Sequence, residues 1–233
     1  GMGIGLIFWG VAEPLSHFAN PPQYLEPGSG AAARFAMVRS FFHWGVQPWA
    51  IYIVMSLSIA YFSFRRGMAP LISNAFYPLL GDRVFGWIGK MIDVLAVFAT
   101  VFGIVTSLGL GALQINGGLG AVFGIPTNNT VTFIIIAVVT VLYLTSSMTG
   151  LDTGIQILSK TNVLIAITLL LFVLVVGPTS YILNVLTTVV GDYLSQFLDL
   201  SLSTNPFEGY QWTKDWTLFY WAWWISWAPF VGL

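Results

Sequence analysis

Tryptophan is where this chain concentrates its chemistry. Six of its ten tryptophans fall between Trp212 and Trp227, around the run Trp216-Thr-Leu-Phe-Tyr220-Trp221-Ala-Trp223-Trp224-Ile-Ser-Trp227-Ala-Pro229. At about 100° per residue, Trp216, Tyr220, Trp223, Trp224 and Trp227 project within an arc of about 100°, so a helix would carry them on one face. Pro229 disturbs the backbone hydrogen bonding one turn later. A second aromatic group lies in His43-Trp44-Gly45-Val46-Gln47-Pro48-Trp49-Ala50-Ile51-Tyr52, where Pro48 bends or starts a helix. Trp44 and Tyr52 would lie about 80° apart if that helix were unbroken. A belt of rings at a membrane surface is the plainer reading of this second group, and of Trp212 and Trp216. Taken together, the two sets suggest an aromatic cage for a quaternary ammonium ion, whose charge is diffuse and which has no N–H to donate. Each cation–π contact contributes about 0.5–2 kcal/mol, so several reach micromolar binding, about −8 kcal/mol, without an ion pair.

Other residue types are less suggestive. Gly1, Gly3 and Gly5 alternate in an apolar run, and each costs a helix about 1 kcal/mol relative to alanine. They predict either an unwound stretch whose carbonyls bind a cation or a small-residue packing face, Gly1-xxx-Gly5. His17 and His43 are isolated histidines without metal-ligand spacing, and the chain has no cysteine. A membrane-embedded enzyme is therefore not expected. Glu13 and Asp93 fall near the ends of their predicted spans and are expected at the interface. No carboxylate lies in the interior of predicted spans 2, 4, 5 or 6.

The elements that must position these residues follow from composition. The 233 residues are 57% hydrophobic and 7% charged, with a mean hydropathy of +0.83, against about 25% charged residues in soluble domains. A net charge of −1 offers no footprint for nucleic acid. Charges are absent from Ser40 to Phe64, Val94 to Leu151, Thr161 to Gly191, and Trp216 onward. A bilayer core of about 30 Å takes about 20 helical residues, so the second gap holds two spans, with a break predicted at Asn116-Gly117-Gly118 through Asn129. The expected fold is an all-α membrane protein with spans near 1–18, 41–64, 91–113, 129–148, 161–177 and 213–233. Residues 179–200 form an amphipathic helix, lying at the external interface or packed on the bundle. Arg65, Arg66, Arg83, Lys90 and Lys160 fall on one side, and Arg34, Arg39 and Lys214 on the other. This bias places the 65–90 and 149–160 loops in the cytoplasm. The chain reads as an internal stretch of a longer, transporter-sized protein, a single partial transmembrane domain over 1–233.

Four blocks resemble the betaine/choline/carnitine transporter family: Gly1-Met-Gly-Ile-Gly5 with Gly10-Val-Ala-Glu-Pro14; His43-Trp44…Pro48-Trp49-Ala-Ile-Tyr52; Ala99-Thr100-Val-Phe-Gly103…Ser107-Leu-Gly-Leu-Gly111; and Asp215-Trp-Thr…Trp221-Ala-Trp-Trp224-Ile-Ser-Trp227. The resemblance implies a LeuT-like inverted-repeat transporter fold, with this chain as the first repeat plus the first helix of the second. Span 1 would be the unwound core helix and span 6 its symmetry partner. It also implies that Trp223, Trp224 and Trp227 box the trimethylammonium and that Tyr52 is a gating aromatic, with Trp44 and Trp49 as accessory rings. The backbone at Met2, Gly3 and Gly5 would face the substrate or a cation. Met2 and Thr100 would belong to sodium sites, although Ile104 replaces the hydroxyl usual one turn after Thr100. The implied activity is ion-coupled import of choline or glycine betaine, driven by Na+ or H+, by a multi-pass homotrimer of the plasma membrane. Carnitine or dimethylsulfoniopropionate transport is the alternative within the family, and a channel or structural membrane subunit the alternative outside it.

Overall fold

The structure is a computed structural model that describes residues 2–148 and 156–232, with the side chains of residues 2–6, 146, 147 and 158 left undescribed. Gly1 and the 149–155 part of the loop expected in the cytoplasm lie outside the described residues. Every described regular element is helical. In order they are α1 (Met2–Ala19), α2 (Gly30–Trp44), α3 (Val46–Ala60), a short α4 (Tyr77–Leu80), α5 (Trp87–Phe123), α6 (Asn129–Met148), α7 (Gln156–Val176), α8 (Thr179–Ser195), α9 (Phe197–Leu202), α10 (Tyr210–Thr213) and α11 (Phe219–Gly232). Two π-helical turns, Tyr61–Arg65 and Lys214–Leu218, extend α3 and precede α11. Three described stretches are long and apolar enough to cross a bilayer: Gly30–Arg65, Trp87–Phe123 and Ser159–Val176. None of the last stretch is buried. Ile165, Leu170 and Phe172 are all exposed there, which only a non-aqueous surrounding or a protein partner tolerates. The protein is a helical membrane protein.

Several boundaries correct the sequence reading. The glycine-rich start is helical from Met2 onward, so the predicted unwinding does not occur within Met2–Gly5. Met2, Ile4 and Leu6 are unbranched or apolar residues that propagate a helix, and the cost of isolated glycines, about 1 kcal/mol each, does not break it. Asn116-Gly117-Gly118 is not a break either. α5 runs 37 residues to Phe123, about 55 Å at 1.5 Å per residue, and ends at Gly124, which takes a positive φ of 69°. Asn116 instead fastens the next helix. Its Nδ2 donates to Asn128 O at 3.1 Å and Thr132 Oγ1 at 2.9 Å. The second predicted span is two helices that meet at Gly45. A Cβ at Gly45 would run into the Phe41 carbonyl and sit 3.0 Å from Tyr193 Oη. Tyr193 completes the restart, accepting from Val46 N–H at 2.9 Å and donating to Gln47 Oε1 at 2.5 Å.

The chain forms two compact units. One comprises Gly1–Ala12 and Ser107–Gly191, the other Glu13–Thr106 and Asp192–Leu233. In the first, α5 and α6 enclose a small apolar pocket lined by Ser107, Gly111, Ile115, Ile136 and Thr140. In the second, α11 packs most extensively on α3. Its core includes Ala32, Ala36, Phe42, Tyr52, Ile59, Tyr220, Trp223, Trp224 and Ala228. The end of α8 belongs to this unit, where the Asp192 carboxylate takes a two-pronged ion pair from Arg34 (Nε to Oδ2 2.5 Å, and Nη2 to Oδ1). The amphipathic helix of the sequence reading thus exists as α8 and α9, and its C-terminal part packs on α2 and α3.

Candidate functional site

Three backbone features aim the aromatic rings of the second unit. The break at Gly45 lets Trp44 close α2 while Trp49 and Tyr52 start a fresh helical phase on α3. The π turn at Lys214–Leu218 adds a residue to one helical turn and resets the phase between Trp212 and Tyr220. The third is close approach of α11 to α5 at Gly103, where an added Cβ would lie 2.8 Å from Ser226 Oγ and 3.1 Å from Trp227 Cδ1.

The result is a packed cluster of rings. Trp223 and Trp224 stack with centroids 4.9 Å apart and planes 10° apart. Trp44 meets Trp224 edge-on at 4.9 Å and Trp223 at 6.4 Å. Tyr52 stands against Trp224 at 6.3 Å, and Trp49 against Tyr52 at 5.8 Å. Tyr220 continues the stack, 6.2 Å from Trp223 and 5.8 Å from Trp224. Of the residues named from sequence, Trp44, Trp49, Tyr52, Trp223 and Trp224 are therefore brought together, although Trp49 keeps 57% of its surface exposed. Trp227 is anchored on α5, its indole N–H donating to Gly103 O at 3.0 Å. Trp224 donates to His43 O at 2.9 Å, which fixes the ring across α2. Thr100 donates to Ala96 O at 2.8 Å. Met2, Gly3 and Gly5 lie in the other unit on the first turns of α1, and their side chains fall outside those described.

The residue that sequence reasoning misplaced is Glu13. It is fully buried, not interfacial, and so are His17 and His43. Glu13 Oε2 accepts from Trp44 Nε1 and from Tyr220 Oη, each at 2.6 Å. Oε1 lies 2.6 Å from His43 Nδ1 and 3.2 Å from His17 Nε2. The far nitrogen of His43 pairs with Thr217 Oγ1 at 2.9 Å. His17 is walled by Trp212 and Trp216, with centroids at 4.8 and 4.4 Å. Four donors on two carboxylate oxygens repay the desolvation of a charge that would otherwise be prohibitive inside a span. The ligand atoms of Glu13, His17 and His43 lie within 4.8 Å of one another. However, the Oε1–Nδ1 separation is a hydrogen-bond length, and the other oxygen is taken by Trp44 and Tyr220. At these separations the contacts within the cluster are hydrogen bonds. The available signal was Glu13-xxx-His17, two ionisable groups one turn apart on one helix face.

Asp192 lies on α8, outside the three membrane-length stretches, and the Arg34 guanidinium holds its carboxyl below the ordinary value through hydrogen bonds and charge. A cleft of about 810 Å³ is lined by Tyr24, Glu208, Tyr210, Trp212, Asp215 and Trp216 among others. Its composition, aromatic and acidic, suits a cation.

The sequence model described as "BCCT, betaine/carnitine/choline family transporter" matches residues 1–233. The chain is 53% identical to the glycine betaine transporter OpuD of Bacillus subtilis (strain 168), covering all of this chain and 46% of that protein. It is 48% identical to an ectoine/hydroxyectoine transporter of Virgibacillus pantothenticus, again covering all of this chain and 46% of the relative. It is also 43% identical to the high-affinity choline transport protein of Escherichia coli (strain K12), covering all of this chain and 34% of the relative. The chain thus spans about half the length of the first of these relatives, or less. A match this complete along the chain, to a family of carriers and not of enzymes, shows that it belongs to the betaine/carnitine/choline transporter family.

Proposed function

We propose that the protein containing this chain is a secondary active transporter that imports a quaternary ammonium solute, choline or glycine betaine, by ion-coupled symport through an aromatic box. The observation that carries this reading is the ring cluster of Trp44, Tyr52, Trp223 and Trp224, drawn from three helices and buried except at its edges. Such a surface offers a diffuse cation several π faces and no competing carboxylate on the box wall itself. Binding would be biased by a gradient of Na+ or H+ that favours one state of an alternating-access cycle. For Na+, Thr100 and the Met2 backbone are the chain's candidate ligands. The LeuT-like architecture, with six spans and inverted repeats, is the fold this function calls for, and α1 and α11 are its symmetry-related core helices. The protein acts in the plasma membrane, as a homotrimer by family resemblance.

The ectoine relative, at 48% identity, favours a second reading in which the same box takes a delocalised ring cation. Uptake of labelled choline, glycine betaine and ectoine decides between them. The full-length protein is expressed in cells lacking their own osmolyte transporters. Saturable, gradient-dependent accumulation of choline or betaine is the expected result. Accumulation of ectoine alone would replace the substrate assignment, and equilibration without accumulation would indicate a channel.

A further inference from the structure

The buried Glu13 cluster has a proton inventory that its hydrogen-bond geometry constrains. Trp44 Nε1 can only donate, and Tyr220 Oη also points its hydrogen at the Oε2 that receives Trp44. Oε2 therefore carries no proton. On the other oxygen, one proton lies between Oε1 and His43 Nδ1. An N–H at His17 Nδ1 would be left unpaired, because that atom is buried without a hydrogen-bond partner. His43 is placed differently. Its Nε2 faces a hydroxyl, Thr217 Oγ1, which donates when Nε2 is bare and accepts when Nε2 is protonated. The other ionisable groups facing this pair are His17 on α1, Tyr220 on α11 and Arg39 one turn earlier on α2. Asp215, on the π turn, is engaged by Gln211.

We propose that Glu13 and His43 form a proton-binding site behind the aromatic box, and that a cationic substrate and this proton compete for the same buried carboxylate. With the proton on His43 Nε2 the pair is neutral overall, and without it the pair carries one negative charge. Two rings of the site, Trp44 and Tyr220, are hydrogen-bonded directly to that carboxylate, so a cation against Trp44 sits one ring away from it. Entry of the cation expels the proton from Nε2 to water, Thr217 turns to donate, and charge is conserved at the site. Acidification therefore weakens binding, approaching tenfold per pH unit below the midpoint of the site. This inference rests on the quaternary ammonium reading for its substrate but not for its proton, and it takes Na+ as the coupling ion, because a proton released as substrate binds is not carried in with it.

Two measurements on the full-length protein test it. The first is a pH titration of the substrate-free protein by difference infrared spectroscopy. An imidazole band that titrates in the wild type and is lost in His43→Gln is expected, and a spectrum identical in the two proteins would overturn the proton site. The second is calorimetric titration with choline, at the midpoint pH, in two buffers of different ionisation enthalpy. Net proton release on binding is expected. Zero exchange, or proton uptake, would overturn the competition. Thr217→Val, which leaves the buried groups in place, should move the midpoint down by about one pH unit, because the imidazolium loses its acceptor. An unmoved midpoint would remove Thr217 from the mechanism. A titrating His43 in a protein that binds no choline would retire the substrate reading while the proton site stood.

Discussion

Replacing Trp224 separates an aromatic box from a merely apolar core. The indole touches four other rings, at 4.9 Å (Trp223 and Trp44), 5.8 Å (Tyr220) and 6.3 Å (Tyr52), and donates to His43 O. Trp224→Leu removes one desolvated cation–π face, about 1–2 kcal/mol, which is roughly a 5- to 30-fold loss of affinity. The neighbouring rings lose a partner as well, at about 0.5–1.5 kcal/mol per aromatic pair, so the upper part of that range is expected. Trp224→Phe keeps a π face and loses the hydrogen bond to His43 O, about 1 kcal/mol, and should stay within about fivefold of wild type. The assay is the half-saturation constant for choline or betaine uptake in whole cells, normalised to transporter in the membrane fraction. Trp224→Leu with a wild-type half-saturation constant would refute the box. Equal losses in the Leu and Phe variants would assign the effect to the hydrogen bond and not to the ring face.

Other expectations follow from the same geometry. Gly103→Val drives a side chain into Ser226 and Trp227 and should cost about 1–3 kcal/mol of overpacking, read as a lower melting temperature than for Gly103→Ala; equal melting temperatures would contradict the close approach. Thr100→Ala should raise the sodium concentration for half-maximal uptake severalfold if Thr100 binds the ion, whereas an unchanged sodium dependence would leave it only its helix hydrogen bond. Because Arg34 depresses the Asp192 carboxyl, its contribution is present above the unfolded value, about pH 3.9, and is lost as pH falls through the lower folded one. Hydrogen exchange of 192–202 should therefore stay slow to about pH 4 and quicken below it, and quickening already at pH 6 would show that another group governs this contact.

Much of the helical layout was legible because charge gaps and turn residues report directly on burial and backbone freedom. The α6 boundaries at Asn129 and Met148 follow from that logic, as does the end of α7 before Gly177-Pro178. Asn116-Gly117-Gly118 misled because glycine permits a turn without compelling one. What decided the matter was Asn116 reaching Asn128 and Thr132, a contact created only after the helix has turned back. The ring partners were legible as two groups, since tryptophan spacing is a local property. That Glu13 joins them was not. Its distance from the span end suggested water, and only the convergence of Trp44 and Tyr220, 31 and 207 residues away in sequence, supplies the donors that keep it dry.

The π turn at Lys214–Leu218 gives chain length a meaning there that it lacks in an ordinary loop. Trp212 and Trp216 lie against His17, while Tyr220 faces His43 at 4.7 Å, and both engagements hold because one surplus residue is wound between them. Losing a single residue from this segment would restore uniform helix and rotate everything before it by about 100° relative to α11. Trp212 would turn off His17 while the box rings stayed in phase. A one-residue deletion here is thus a screw displacement of the wall above the carboxylate, and it should alter tryptophan accessibility to an external quencher far more than any point substitution in the same five positions.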